Sequence, residues 1–190
     1  MVTVDNTYTT EEDVIQGCIK RNAMAQRALY EKYSSKMLSV CMRYTGRRDQ
    51  AEDVMHDGFI TVFEKIGSYN RMGSFEGWLR RIFVNTALMS LRKGDVLKFS
   101  DELSSAEREY SADSSALSNI SSKELMRLIA SMPSGFRIVF NMYAIEGFSH
   151  QEIAKELNIS EGSSRSQLSR ARVWLQNRLE NIEEKDYITG

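Results

Sequence analysis

The sequence predicts an all-α fold: two small helical domains joined by a flexible acidic linker, the C-terminal domain being a helix-turn-helix. Three observations predict it. Apolar residues recur at helical spacing through most of the chain. The short alternating Val/Ile/Thr runs that mark strands are missing. One stretch, 94–121, interrupts the helical pattern with a run dominated by Ser, Asp, Glu and Ala (SDELSSAEREYSADSSALSNISS) that has no sustained amphipathic period.

The periodicity places helices over about 12–44, 49–66, 75–93, 122–131, 136–146, 150–157 and 161–181. Gly46, Gly67, Gly73 and Gly147 stand in the breaks, as glycines do at helix ends, and Pro133 is the single proline. The expected organisation is an N-terminal domain over 10–94, a linker over 95–121 and a C-terminal domain over 122–183, with a frayed acidic tail.

Bulk properties narrow the class. The 190 residues suffice for one domain or two small ones, and a composition 42% hydrophobic and 27% charged is that of a soluble globular protein. No apolar run approaches the roughly 20 residues of a membrane span, and the N-terminus lacks the basic-then-apolar pattern of a signal peptide. A cytoplasmic location, without direct membrane insertion, is expected. Cys18 and Cys41 read as reduced, buried thiols. No Cys/His spacing suggests a metal and no Gly-x-x-x-x-Gly-Lys loop suggests a nucleotide, so no cofactor is expected.

The net charge of −1 hides segregation. Arg165, Arg170, Arg172 and Arg178 fall between Gly162 and Leu179 without an acid among them, while acids collect at 52–64, 101–113 and 180–186. Tight DNA binding by charge alone is not expected of such a chain, because phosphate neutralisation supplies most non-specific affinity.

Residues 149–179 carry the clearest local motif. Ser149 and Glu152 make a capping box, Ala154 leaves room for a crossing helix, Asn158 tolerates a left-handed turn, and Ser160 caps a second helix. In that second helix Leu168, Ala171, Leu175 and Leu179 face inward, while Arg165, Ser166, Ser169 and Arg170 project from the outer N-terminal half, the part that enters a major groove. A solvated basic face on a helical hairpin is the bland alternative.

Two N-terminal segments also stand out. In 51–66, Met55, Phe59, Val62 and Ile66 form an apolar stripe, and Asp53, Asp57 and Glu64 an acidic one suited to a basic partner. In 68–87 a Gly/Ser loop leads into a helix bearing aromatics, arginines and an asparagine. Ser74, Phe75, Trp78, Arg81 and Asn85 could hold an unpaired strand, since bases stack on aromatics whatever their sequence.

AEDVMHDGFITVFEKI followed by GSFEGWLRRIFVNTALMSLRK resembles region two of extracytoplasmic-function sigma factors. MPSGFRIVFNMYAIEGFSHQEIAKELNISEGSSRSQLSRARVWLQNRL resembles their region four. The resemblance runs from about Val14 to Leu179. It implies a transcription initiation factor, not an enzyme, that binds core RNA polymerase through the β′ clamp helices and the β flap. Asp53, Asp57 and Phe59 would contact polymerase. Ser74, Phe75, Trp78, Arg81 and Asn85 would open and hold the minus-ten element. Arg165, Ser166, Ser169 and Arg170 would read the minus-thirty-five element of promoter DNA. It also implies an anti-sigma factor as a partner. Three positions depart from the family's usual residues: His56 for Gln, Ser164 for Val at an inward position, and Gln167 for Arg.

The main alternative is a helix-turn-helix regulator working without polymerase. It would need an N-terminal receiver or ligand domain, which is usually α/β, and the strand signal is missing. A DNA-acting enzyme would need a nucleophile beside a base and its orienter, and His56 and His150 are lone histidines.

Overall fold

The computed structural model describes residues 10–93 and 121–189, with side chains described over 10–93, at 121 and over 124–180. The expected linker lies almost wholly outside the described residues. All the described elements are helical: eight α-helices, one 3-10 turn and one π-helical turn. The chain divides into two compact units, Met1–Met42 with Arg47–Ser90, and Arg43–Gly46 with Leu91–Gly190.

In the first unit, α1 (Glu11–Ile19) starts at a Thr10/Asp13 capping box, with Glu11, Glu12 and Asp13 in the first turn where the helix dipole favours negative charge. The single helix expected over 12–44 is in fact two, because the backbone turns left-handed at Arg21 (φ 57°). Asn22 then caps α2 (Ala23–Thr45), its Oδ1 accepting from the N–H groups of Met24 and Ala25 at 2.9 and 3.2 Å. Apolar periodicity continues across this break, so the pattern alone conceals it; the cap is the local signal that marks it.

Helix α3 (Arg48–Lys65) runs into a 3-10 turn at Ile66–Ser68, and α4 spans Phe75–Lys93. Gly58 lets α3 and α4 approach closely, since a Cβ there would meet Phe83 Cε1 at 2.4 Å. The buried Phe59 ring fills the same junction, edge-on to Phe83 at 5.0 Å and 4.7 Å from Tyr30. Cys18 and Cys41 are buried thiols in this unit, and burial pushes the Cys18 thiol up to about 11.

In the second unit, α5 (Ser122–Ser131) starts at a Ser121/Glu124 capping box, and α6 spans Ser134–Phe140 after Pro133. The buried Arg137 guanidinium donates to the carbonyls of Ala130 and Met132 at 2.8 and 2.9 Å, satisfying the end of α5. The helix expected over 136–146 ends as a π-turn, Asn141–Ile145. Helix α7 (His150–Leu157) and α8 (Glu161–Thr189) follow. Ile129, Met132 and Ala171 anchor a core on which Phe136, Phe140, Trp174 and Leu175 pack. The backbone of α8 stays helical to Thr189, beyond the end at 181 and the frayed tail that composition suggests.

Candidate promoter-DNA interface and docking face

Helix α3 buries Ala51, Val54, Met55, Gly58, Phe59 and Val62 against the first unit's core. Asp53 and Asp57 are exposed on its other side, four residues apart and so neighbours on one face. Phe59 is not with them. It is only 3% exposed and held among aromatic rings, so the expectation that it meets polymerase is corrected: it is a core residue. The exposed apolar group beside Asp53 and Asp57 is Ile60, at 57% exposure. Helical spacing carries that signal, because 53, 57 and 60 share a face whereas 55, 59, 62 and 66 form the opposite stripe.

The loop from 69 to 74 is built by its own side chains. Tyr69 Oη donates to the Gly73 carbonyl at 2.7 Å, and Asn70 Oδ1 accepts from the Met72 N–H at 3.1 Å. Arg71, in a left-handed conformation at φ 61°, forms an ion pair with Glu12 that holds the Glu12 carboxyl below its ordinary range. Ser74 is exposed and caps α4, its Oγ accepting from the Gly77 N–H at 3.1 Å. Phe75 is 2% exposed, so the expectation that its ring stacks on a base is also corrected. Instead Phe75 supports Trp78. Their rings stack with centroids 5.6 Å apart and an interplanar angle of 20°, and Tyr69 packs on both.

Trp78 is half-buried, which leaves part of its indole open to solvent. Arg81 and Asn85 are exposed one turn apart on the same helix. A supported aromatic surface followed by a cation and an amide can stack a base, neutralise a phosphate and hydrogen-bond a base edge.

In the second unit the capping box forms: Ser149 Oγ accepts from the Glu152 N–H at 3.2 Å, and Glu152 accepts from the Ser149 N–H at 2.8 Å. Asn158 takes the left-handed conformation (φ 54°, ψ 48°) that turns the chain, and Ser160 Oγ accepts from the Ser163 N–H at 2.9 Å. Ile153, Leu157, Leu168 and Ala171 bury the inner faces. Arg165, Ser166 and Ser169 are exposed, while Arg170 is half-buried. Arg165 forms an ion pair with Glu161 one turn earlier at 2.9 Å, an exposed contact that a DNA phosphate could replace.

Two inward polar residues complete this unit. Ser164 is fully buried, and its hydroxyl pairs with the His150 ring at 2.9 Å. Gln167 is 7% exposed, with Oε1 lacking a hydrogen-bond partner among the described residues. Trp174 is partly buried against the core, with the Arg178 guanidinium 5.3 Å from its ring centroid. Among the described residues no cluster of three His, Cys, Asp or Glu could hold a metal, and no helix is long and apolar enough to cross a membrane.

Known proteins match both units. The family described as Sigma-70 region 2 matches residues 29–96, and that described as Sigma-70, region 4 matches residues 122–175. Similar curated proteins include the ECF RNA polymerase sigma-E factor of Escherichia coli (strain K12) and of Salmonella typhimurium (strain LT2). Each is 28% identical over 184 residues, covering 91% of this chain and 96% of the relative. The RNA polymerase sigma-H factor of Pseudomonas aeruginosa is 25% identical over 177 residues, 87% of this chain and 92% of its own. Among solved structures, the sigma factor RpoE in complex with the anti-sigma factor NepR from Bartonella quintana aligns with a TM-score of 0.49 at 19% identity, over 81% of this chain and 96% of that one. With region 2 and region 4 present in that order, and relatives of this kind matching along nearly their whole length, the chain belongs to the sigma-70 family as an extracytoplasmic-function sigma factor, a promoter-directing subunit of RNA polymerase.

Proposed function

We propose that α3 docks on core RNA polymerase through Asp53, Asp57 and Ile60, that the 69–74 loop and α4 open and hold the minus-ten strand, and that α8 reads the minus-thirty-five duplex. The observation that carries this is the chemistry each helix leaves exposed. α3 offers two carboxylates around an apolar side chain; α4 offers part of an indole, a guanidinium and an amide; α8 offers Arg165, Ser166 and Ser169. These suit, in turn, a basic protein surface, an unpaired strand and a major groove.

In this reading the described residues divide between a minus-ten domain reaching to about residue 94 and a minus-thirty-five domain from 122, joined by the acidic 95–121 segment. The acidity of that segment suits a basic polymerase channel that otherwise holds RNA. The second unit would also rest on the β flap, and an anti-sigma factor would act by covering the polymerase-binding faces. The chain works beside the chromosome in the cytoplasm and leaves catalysis to polymerase.

Run-off transcription tests the reading. Core polymerase with this chain should give a transcript from a cognate promoter that core alone does not. Unchanged transcription by core polymerase, with or without the chain, would overturn it.

A further inference from the structure

Three side chains of the second unit form a contact chain that base reading by α8 does not use. Tyr143 sits on the π-turn, and its ring stacks on that of His150 with centroids 4.6 Å apart and an interplanar angle of 24°. His150 Nδ1 lies 2.9 Å from Oγ of Ser164, a residue with no exposed surface. The other ring nitrogen, Nε2, makes no hydrogen bond among the described residues and is not among their buried unpartnered atoms. The ring is thus fixed on one face and at one nitrogen, with the second nitrogen presented outward.

Arg165 and Arg172 of α8 both act on the imidazole against the protonated form, Glu161 opposes them, and Tyr143 covers one ring face. Burial is the largest cause holding the ring below its ordinary titration range, followed by Arg165, and both favour the neutral ring in the free protein. In that state Nδ1 accepts from the Ser164 hydroxyl and Nε2 carries the hydrogen. A hydroxyl also serves the imidazolium. Nδ1–H then donates to Oγ, and the Ser164 O–H can turn to the Ser160 carbonyl one helical turn back, which already accepts from the Ser164 N–H at 3.0 Å. A valine at 164 could serve neither state.

We propose that His150 is a phosphate-contacting residue of the helix-turn-helix: Nε2–H donates to a backbone phosphate oxygen of the minus-thirty-five duplex, the ring takes a proton from solvent as the phosphate arrives, and Ser164 is the positioning residue that holds the ring in both protonation states. This rests on the reading that α7 and α8 bind that duplex. Binding is then coupled to proton uptake, and promoter affinity rises as pH falls.

The experiment measures promoter affinity of the reconstituted holoenzyme between about pH 6 and 8, at several salt concentrations, on DNA with a cognate or a scrambled minus-thirty-five element. The variants are His150→Phe, which keeps a ring against Tyr143, His150→Gln, Ser164→Val and Ser164→Thr. The parent should bind more tightly at low pH on cognate DNA. His150→Phe and His150→Gln should lose that slope, weaken binding about tenfold at pH 6 and lower the salt dependence by about one counterion. Ser164→Val should weaken the pH slope, and Ser164→Thr should restore it, which a purely structural role would not do. Parent-like pH and salt slopes in both His150 variants would overturn the proposal while leaving duplex reading intact. Loss of all difference between cognate and scrambled DNA in the parent would overturn the underlying reading, and the proposal with it.

Discussion

The two units build their candidate nucleic-acid-binding surfaces by opposite means. In the first, the exposed surface stands on buried aromatics: Trp78 faces solvent because Phe75, 2% exposed, lies stacked beneath it and Tyr69 braces both. In the second, the candidate readers Arg165, Ser166 and Ser169 stand directly in solvent on α8, and polar groups including the Ser164 hydroxyl are buried below them. A stacking surface needs a rigid apolar support, so its residues divide between core and contact. A groove-reading helix needs only an outward face, so its contacts are all of one kind.

That difference predicts how the units break. The largest effect belongs to Phe59 in the first unit's core. Phe59→Ala should cost about 3–5 kcal/mol of stability, read by denaturant unfolding, and abolish polymerase and DNA binding together. Lost polymerase binding with unchanged stability would return Phe59 to the docking surface. Next, Trp78→Ala should reduce promoter opening by about 1–3 kcal/mol, read by reactivity of unpaired thymines, and Asn85→Ala should reduce it less, with duplex binding at the minus-thirty-five element retained. In the second unit, Arg165→Ala and Arg170→Ala should each weaken minus-thirty-five recognition by about 1–3 kcal/mol without loosening polymerase. The Arg170 effect should fall toward the lower end, because that side chain is half-buried. The smallest effect is a cap: Ser149→Ala should lower the second unit's thermal stability by about 1 kcal/mol and leave the first unit's transition unchanged.

The same contrast explains what could be read without coordinates. Caps and turns were legible because their chemistry is local: Ser149 with Glu152, Asn158 as a left-handed turn and Ser160 as a cap all form in the expected places. The exposed face of α8 followed from helical period alone. Helical spacing also puts Phe59 in the buried stripe of α3, against the docking role first expected of it. Phe75 and Trp78 are not separable that way: both have equal claims to core or contact in the sequence, and only tertiary packing buries the first and leaves the second half-open. The break at Arg21 was hidden by continuous apolar spacing, and the His150–Ser164 pair by a separation of 14 residues that only the crossing of α7 and α8 closes. The π-turn that carries Tyr143 has no local signature in the sequence.

In the proposed reading, near-neutral charge with two modest contact surfaces on separate units leaves polymerase as the element that would join them at high effective concentration. The direct test is promoter affinity of this chain alone against the same chain bound to core polymerase, on cognate and scrambled DNA at near-physiological salt. The account predicts weak binding with little sequence preference for the chain alone, and tight, sequence-specific binding for the holoenzyme. Tight, specific binding by the chain alone would contradict it.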